Sequence, residues 1–174
     1  LGFCVEELTL DDIREKYGPN GIQGYDTING FATISSHTQL CMFTANGLLF
    51  GATRGAIRGV MAPYVKYLEA AYRDWCKTQH YGVPKGREKS FSWLSSVDAM
   101  RSRRCPEPAD LYALERPQAG TMEEPINHSR GPNGLARCVP IGLFFHPSET
   151  PLPEISLLGA ESAALTYGDP LGFL

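Results

Sequence analysis

Pro63-Tyr64-Val65-Lys66-Tyr67-Leu68-Glu69-Ala70-Ala71-Tyr72-Arg73-Asp74-Trp75-Cys76 is the stretch that decides the fold class. Tyr64, Leu68, Ala71, Tyr72, Trp75 and Cys76 recur at helical spacing and so gather on one face, while Lys66, Glu69, Arg73, Asp74 and Lys77 take the other. Pro63 suits the first helical position, where its fixed φ is already helical and its missing N–H is not needed. An aromatic stripe of this kind is core rather than a surface for stacking a cofactor.

Working outward, the stretch from Ser36 repeats Leu40, Phe43, Gly47, Leu48 and Phe50 at helical spacing, with Gly51 and Gly55 expected to break it into a helix and a shorter continuation through Val60. Before it, Gly18, Gly21, Gly24 and the turn-prone Asn29-Gly30 predict an extended loop over 18–34. Earlier still, Thr9 offers a capping hydroxyl, Asp11-Asp12 place acids in a first turn, and Gly18-Pro19 stops a two-turn helix.

On the other side, residues 80–132 lean on Gly, Pro, Ser and charge, with short helical stretches only near Ser95–Ser102 and Ala109–Leu114. The apolar run Leu135–Phe145 reads either as a buried strand or as a helix interrupted by Pro140. After Pro153, Ile155, Leu158, Ser162 and Leu165 mark a further helix whose Gly159, Ala160, Ala163 and Ala164 permit close packing. No stretch alternates with period two, so the expected class is all-α, a single domain over 1–174.

With 174 residues, 43% apolar and 20% charged, the chain has the composition of an ordinary globular protein. A net charge of -3 and a pI near 5.8 leave no broad basic face for nucleic acid. Arg101-Ser102-Arg103-Arg104 is the local exception and reads as a solvated loop. No apolar run reaches the roughly 18 residues of a membrane span, and no leader pattern opens the chain, so a cytoplasmic monomer without nucleic-acid or membrane partners is expected. The odd, scattered cysteines Cys4, Cys41, Cys76, Cys105 and Cys138 read as reduced and mostly buried thiols. The absent initial Met and the stop after Pro170-Leu171-Gly172-Phe173-Leu174 read as the ends of a fragment of a longer domain.

Three polar, glycine-rich turns each open a helix: Thr33–Thr38, Asn127–Gly134 and Thr166–Gly172. Helix starts present unpaired N–H groups and a positive dipole end, so such turns converging on one cleft suit phosphates or the ligands of hard cations. Simple caps and turns are the other reading.

In their order these pieces resemble the ADP-ribosylglycohydrolase family along essentially the whole chain. Leu1-Gly2-Phe3-Cys4-Val5-Glu6 is similar to the tail of that family's G-D-x-L-G-x-x-x-E segment, and Asp12-Ile13-Arg14-Glu15-Lys16-Tyr17 follows at the expected place. Ser35-Ser36-His37-Thr38-Gln39 stands where members have S/T-D-D-T-Q. Asn127-His128-Ser129-Arg130-Gly131-Pro132-Asn133-Gly134-Leu135-Ala136-Arg137 resembles the S-x-G-N/C-G-G-x-M-R turn, and Thr166-Tyr167-Gly168-Asp169-Pro170-Leu171-Gly172 the T-H-x-x-P-x-G turn.

The resemblance implies an orthogonal helix bundle around a cleft with two Mg2+ or Mn2+ ions, in which the bond linking ADP-ribose to a protein or small-molecule acceptor is hydrolysed. It implies Glu6 as the catalytic carboxylate, Ser35, Ser36 and His37 at the metal positions, and Ser129, Gly131, Asn133, Gly134, Tyr167 and Gly172 against the substrate. Ser36 and His37, however, replace two aspartates, and a hydroxyl and an imidazole suit hard divalent ions poorly. Pro132 removes an N–H from the second turn, Tyr167 replaces a histidine, and the family's later D-x-D-T/S motif is not within these residues. His37 reads as a ligand for a softer metal, as a titrating base, or as a plain capping residue. The expected function is therefore a metal-dependent ADP-ribosyl hydrolase; the alternative is an inactive ADP-ribose-binding module or a truncated remnant.

Overall fold

Thr9 caps the first helix, α1 (Leu10–Tyr17), in a reciprocal capping box with Asp12, and Gly18 ends it at a positive φ of 84° that favours glycine. The computed structural model describes residues 2–80 and 90–173. Leu1, Leu174 and residues 81–89 of the expected irregular excursion lie outside the described residues.

In the loop before the second helix, Asn29 and Gly30 both take positive φ and turn a two-residue antiparallel hairpin, β1 (Thr27–Ile28) on β2 (Phe31–Ala32). The hairpin is too short to display a period of two, and it is the one departure from an all-helical chain among the described residues.

The second helix, α2, runs unbroken over Ser36–Arg58, and α3 over Tyr64–Thr78. The expected break at Gly51 does not occur because this glycine is a point of close approach. A Cβ there would meet the Tyr67 ring at 2.8 Å, so the missing side chain lets α2 lie against α3. The aromatic face of α3 is core as expected, with Leu68, Tyr72 and Trp75 fully buried against Leu40, Phe43 and Leu48 of α2. The charged face is less exposed than its composition implies. Asp74 is buried, where its carboxylate accepts hydrogen bonds from the amides of Phe91 (2.6 Å) and Ser92 (2.9 Å) and anchors the returning chain.

Two 3-10 turns (Trp93–Ser96, Asp98–Met100) lead to α4 (Pro108–Leu114). The ambiguous apolar run resolves into two short helices, α5 (Asn133–Ala136) and α6 (Val139–Phe144), with Pro140 in the first turn of α6 where its lost N–H costs nothing. The last helix, α7 (Leu152–Ala164), packs on α3, α5 and α6, and a 3-10 turn (Pro170–Gly172) follows, capped by Asp169. No helix is long and apolar enough to cross a membrane among the described residues. Of the five cysteines only Cys76 is buried; the other four are half-buried, contrary to the expectation that most would be buried.

Candidate functional site

Ser35 begins α2 as a capping residue: its backbone is extended and its hydroxyl accepts from the Thr38 amide at 3.4 Å. Ser36, next along, is buried. Its hydroxyl donates to the Cys105 carbonyl (3.0 Å) and its amide to the Arg104 carbonyl (2.9 Å). The segment expected to be a solvated basic loop is therefore the strap that closes the start of α2, with Gln39 also donating to the Ser102 carbonyl at 3.1 Å. Cys105 holds a left-handed backbone (φ 46°), an unfavourable state for a residue with a Cβ, which aims its carbonyl at Ser36.

His37 faces the other way and meets Glu6, with Nδ1 2.9 Å from a carboxylate oxygen. Burial pushes the Glu6 carboxyl above its ordinary value; His37 pulls it down, and Glu107 and Glu7 push it further up. Glu6 and Glu107 line a hollow of about 490 Å³ beside Cys105. A raised pKa in the folded state means that Glu6 favours folding most below its ordinary pKa of 4.5, and that this contribution is lost as pH rises through the raised value. Glu6→Gln is thus expected to match the parent at low pH and to be the more stable of the two at neutral pH. Thermal melts across pH 3–8, a range of about five units around the carboxylate values, would read this; parallel curves would contradict it.

The donor set at this point does not fit two Mg2+ or Mn2+ ions. Hard divalent cations take several oxygen ligands, mostly carboxylates. Among the expected positions, Ser35 is engaged as a cap, Ser36 donates to a carbonyl, and the one carboxylate of the set, Glu6, is paired with His37, while Glu7 and Glu107 line the hollow beside it.

The second and third turns do meet. Asn127 ties them together: its side chain donates to the Thr166 carbonyl (2.8 Å) and accepts from the Gly168 amide (3.0 Å), and the Asp169 amide donates to the Ser129 carbonyl (3.1 Å). Gly131, Gly134 and Gly172 line a cleft of about 480 Å³ between α5, α6, α7 and the last turn. Ser129, Asn133 and Tyr167 are not on its wall. Asn133 is buried, and Tyr167 is 1% exposed with its hydroxyl donating to Asp110 at 3.2 Å.

Behind the cleft lies a polar cluster that sequence reading missed. Asp110 accepts from Thr166 (2.7 Å), from Tyr167 and from Arg137, and Arg137 also reaches the Thr166 hydroxyl. Arg137 Nε and Nη1 find no hydrogen-bond partner among the described residues, but the guanidinium sits over the rings of Tyr72 (4.9 Å) and Tyr167 (5.5 Å), whose faces attract a cation. Burial, followed by the charge of Asp110, drives the Tyr167 hydroxyl far above its usual range, so it stays protonated and can donate to Asp110. Glu107, which precedes α4, acts on both Glu6 and Tyr167, so the two loci are neighbours. Nothing in the order of residues flags Asp110: it lies inside a short stretch recognised only for helical composition.

The family model described as ADP-ribosylglycohydrolase matches residues 1–174, the whole chain. No curated protein matches the chain, and neither does any solved structure.

Proposed function

The chain belongs to the ADP-ribosylglycohydrolase family, and on that premise we propose that it binds ADP-ribose, free or attached to a protein or small-molecule acceptor, without carrying out two-metal hydrolysis. The observation that carries this reading is the occupancy of the expected metal positions: Ser36 is committed to the Cys105 carbonyl and His37 to Glu6. Two hard cations would bring four positive charges to expected ligand positions that hold one carboxylate, and that imbalance opposes their binding.

Binding asks less of the site than catalysis. The cleft beside Gly131, Gly134 and Gly172 has a volume in the ordinary range for small-molecule sites, about 300–1,000 Å³. Its glycines let the wall itself pack tightly: a Cβ would stand 2.9 Å from Tyr167 at Gly131, 2.7 Å from Ala163 at Gly134 and 3.0 Å from Tyr167 at Gly172. In this reading Ser129, Asn133 and Tyr167 shape the turns from behind, and the protein works as a cytoplasmic monomer of one domain.

Turnover is the second reading, favoured by Glu6 alone: a carboxyl raised by burial is closer to the working range of a general acid or base. Titration calorimetry with ADP-ribose, with and without Mg2+, tests both, together with release of ADP-ribose from a modified protein. Equal affinity in the two conditions and no release is the expected result. Mg2+-dependent binding with release would establish the hydrolase instead, and no binding in either condition would sink the proposed function.

A further inference from the structure

Cys76 in the last turn of α3 and His80 just beyond it face Glu115 at the end of α4. Cys76 Sγ lies 3.9 Å from His80 Nε2, and His80 Nε2 lies 3.1 Å from a Glu115 oxygen. All three ligand atoms fall within 4.8 Å of one another, the thiol buried and the other two groups exposed. Ligand atoms about 2.0–2.3 Å from a tetrahedral zinc stand roughly 3.3–3.6 Å apart, so the observed separations need only small side-chain adjustments.

From this geometry we propose that Cys76, His80 and Glu115 form a site for Zn2+ or a similarly borderline-soft divalent cation, independent of the ADP-ribose cleft. The chemistry of the donors selects the metal: thiolate and imidazole favour zinc over magnesium, and three protein ligands leave a fourth, outward position for water. Glu115 and His80, on the exposed side, leave the ion a path of entry.

The backbone on both sides is already held in place. Arg73 spans the two helices, with its guanidinium donating to the Leu114 carbonyl (2.8 Å) and to Glu69 (3.0 Å). The Gln79 amide donates to the Cys76 carbonyl (3.0 Å), and its side chain donates to Gln39 at 3.0 Å. The neighbouring cations are engaged, Arg73 as described and Lys77 with Asp74 at 3.2 Å, which lowers their opposition to a bound ion. Binding forms an S–Zn bond and breaks the S–H bond, and the proton leaves to solvent. Burial pushes the Cys76 thiol up to about 11, with Glu115 and Asp110 adding to the rise and Arg73 and Lys77 opposing it. Without metal the thiol stays protonated near neutrality and is a poor nucleophile.

Co2+ is the probe, because a thiolate ligand gives it a charge-transfer band in the near ultraviolet; Zn2+ is then titrated in as competitor. One equivalent of Co2+ with that band, displaced by Zn2+, is expected in the intact chain. Cys76→Ser should abolish the band. His80→Ala and Glu115→Gln, both exposed and so tolerable to the fold, should each weaken Zn2+ binding by at least the 10–100-fold typical of losing a supporting group around a metal. His37→Ala, at the other locus, should leave the band and the affinity unchanged. The absence of a band in the intact chain, its survival in Cys76→Ser, or unchanged affinity in both His80→Ala and Glu115→Gln would overturn the site.

Discussion

Asp110→Ala is expected to lower folding stability by about 3–5 kcal/mol, the largest loss from any single side chain around the site. The carboxylate is sealed from solvent and is the shared acceptor of Arg137, Thr166 and Tyr167. Removing it leaves the Arg137 cation buried with its charge uncompensated, and two hydroxyls lose their acceptor. The rings of Tyr72 and Tyr167 recover only a fraction, because a cation–π contact is worth about 2 kcal/mol at best. Domains of this size are stable by roughly 5–15 kcal/mol, so the variant should melt far below the parent. Urea unfolding measures the loss, and a double-mutant cycle with Arg137→Met isolates its source. With the cation gone as well, the double variant should be more stable than Asp110→Ala alone. If Arg137→Met leaves Asp110→Ala unimproved, the buried charge is not what the carboxylate compensates.

Gly168→Ala should remove ADP-ribose binding and cost about 3 kcal/mol, at the upper end of the range for overpacking. A Cβ at this position would stand 2.0 Å from the Asn127 carbonyl oxygen and 2.9 Å from the Pro125 Cβ. The obstacle is backbone rather than a flexible side-chain end, so relief requires the two turns to part. Parting them breaks the bond from the Gly168 amide to Asn127 and displaces the turn that carries Gly172. Gly142, which itself lines the cleft, supplies the control for stability alone. A Cβ there meets nothing within 4 Å, and within α6 alanine should stabilise by about 0.5–1 kcal/mol. Thermal unfolding of both variants, with calorimetry on ADP-ribose, gives the comparison; a Gly168→Ala protein as stable as the parent would mean that the turns are not packed as described.

Much of this arrangement was legible in the order of residues. Thr9 and Asp12 foretell a capped helix, and the stripe from Tyr64 to Cys76 foretells a buried face, because caps and periodicity act within one or two turns of the residues that encode them. The family turns around Ser35, Asn127 and Thr166 are local in the same sense. Gly51 was misread as a break for an equally physical reason: the cost of glycine in a helix is local, whereas the gain comes from Tyr67 on another helix. Asp74 was misplaced on the solvent face because its partners, the amides of Phe91 and Ser92, arrive from a distant loop.

The sequence by itself determined that the chain is helical, where α1 and α2 start, and that the carboxylates expected at Ser36 and His37 are missing. Only the tertiary structure decided what took their place. Ser36 reaches a carbonyl of the Cys105 strap, His37 reaches back to Glu6, Asp110 collects three donors from two separate segments, and Cys76 and His80 face Glu115 across two helices. Each of these pairings joins residues far apart in the chain, and burial sets the protonation of Glu6 and Cys76 and the strength of the hydrogen bonds. Neither quantity exists until the helices have packed.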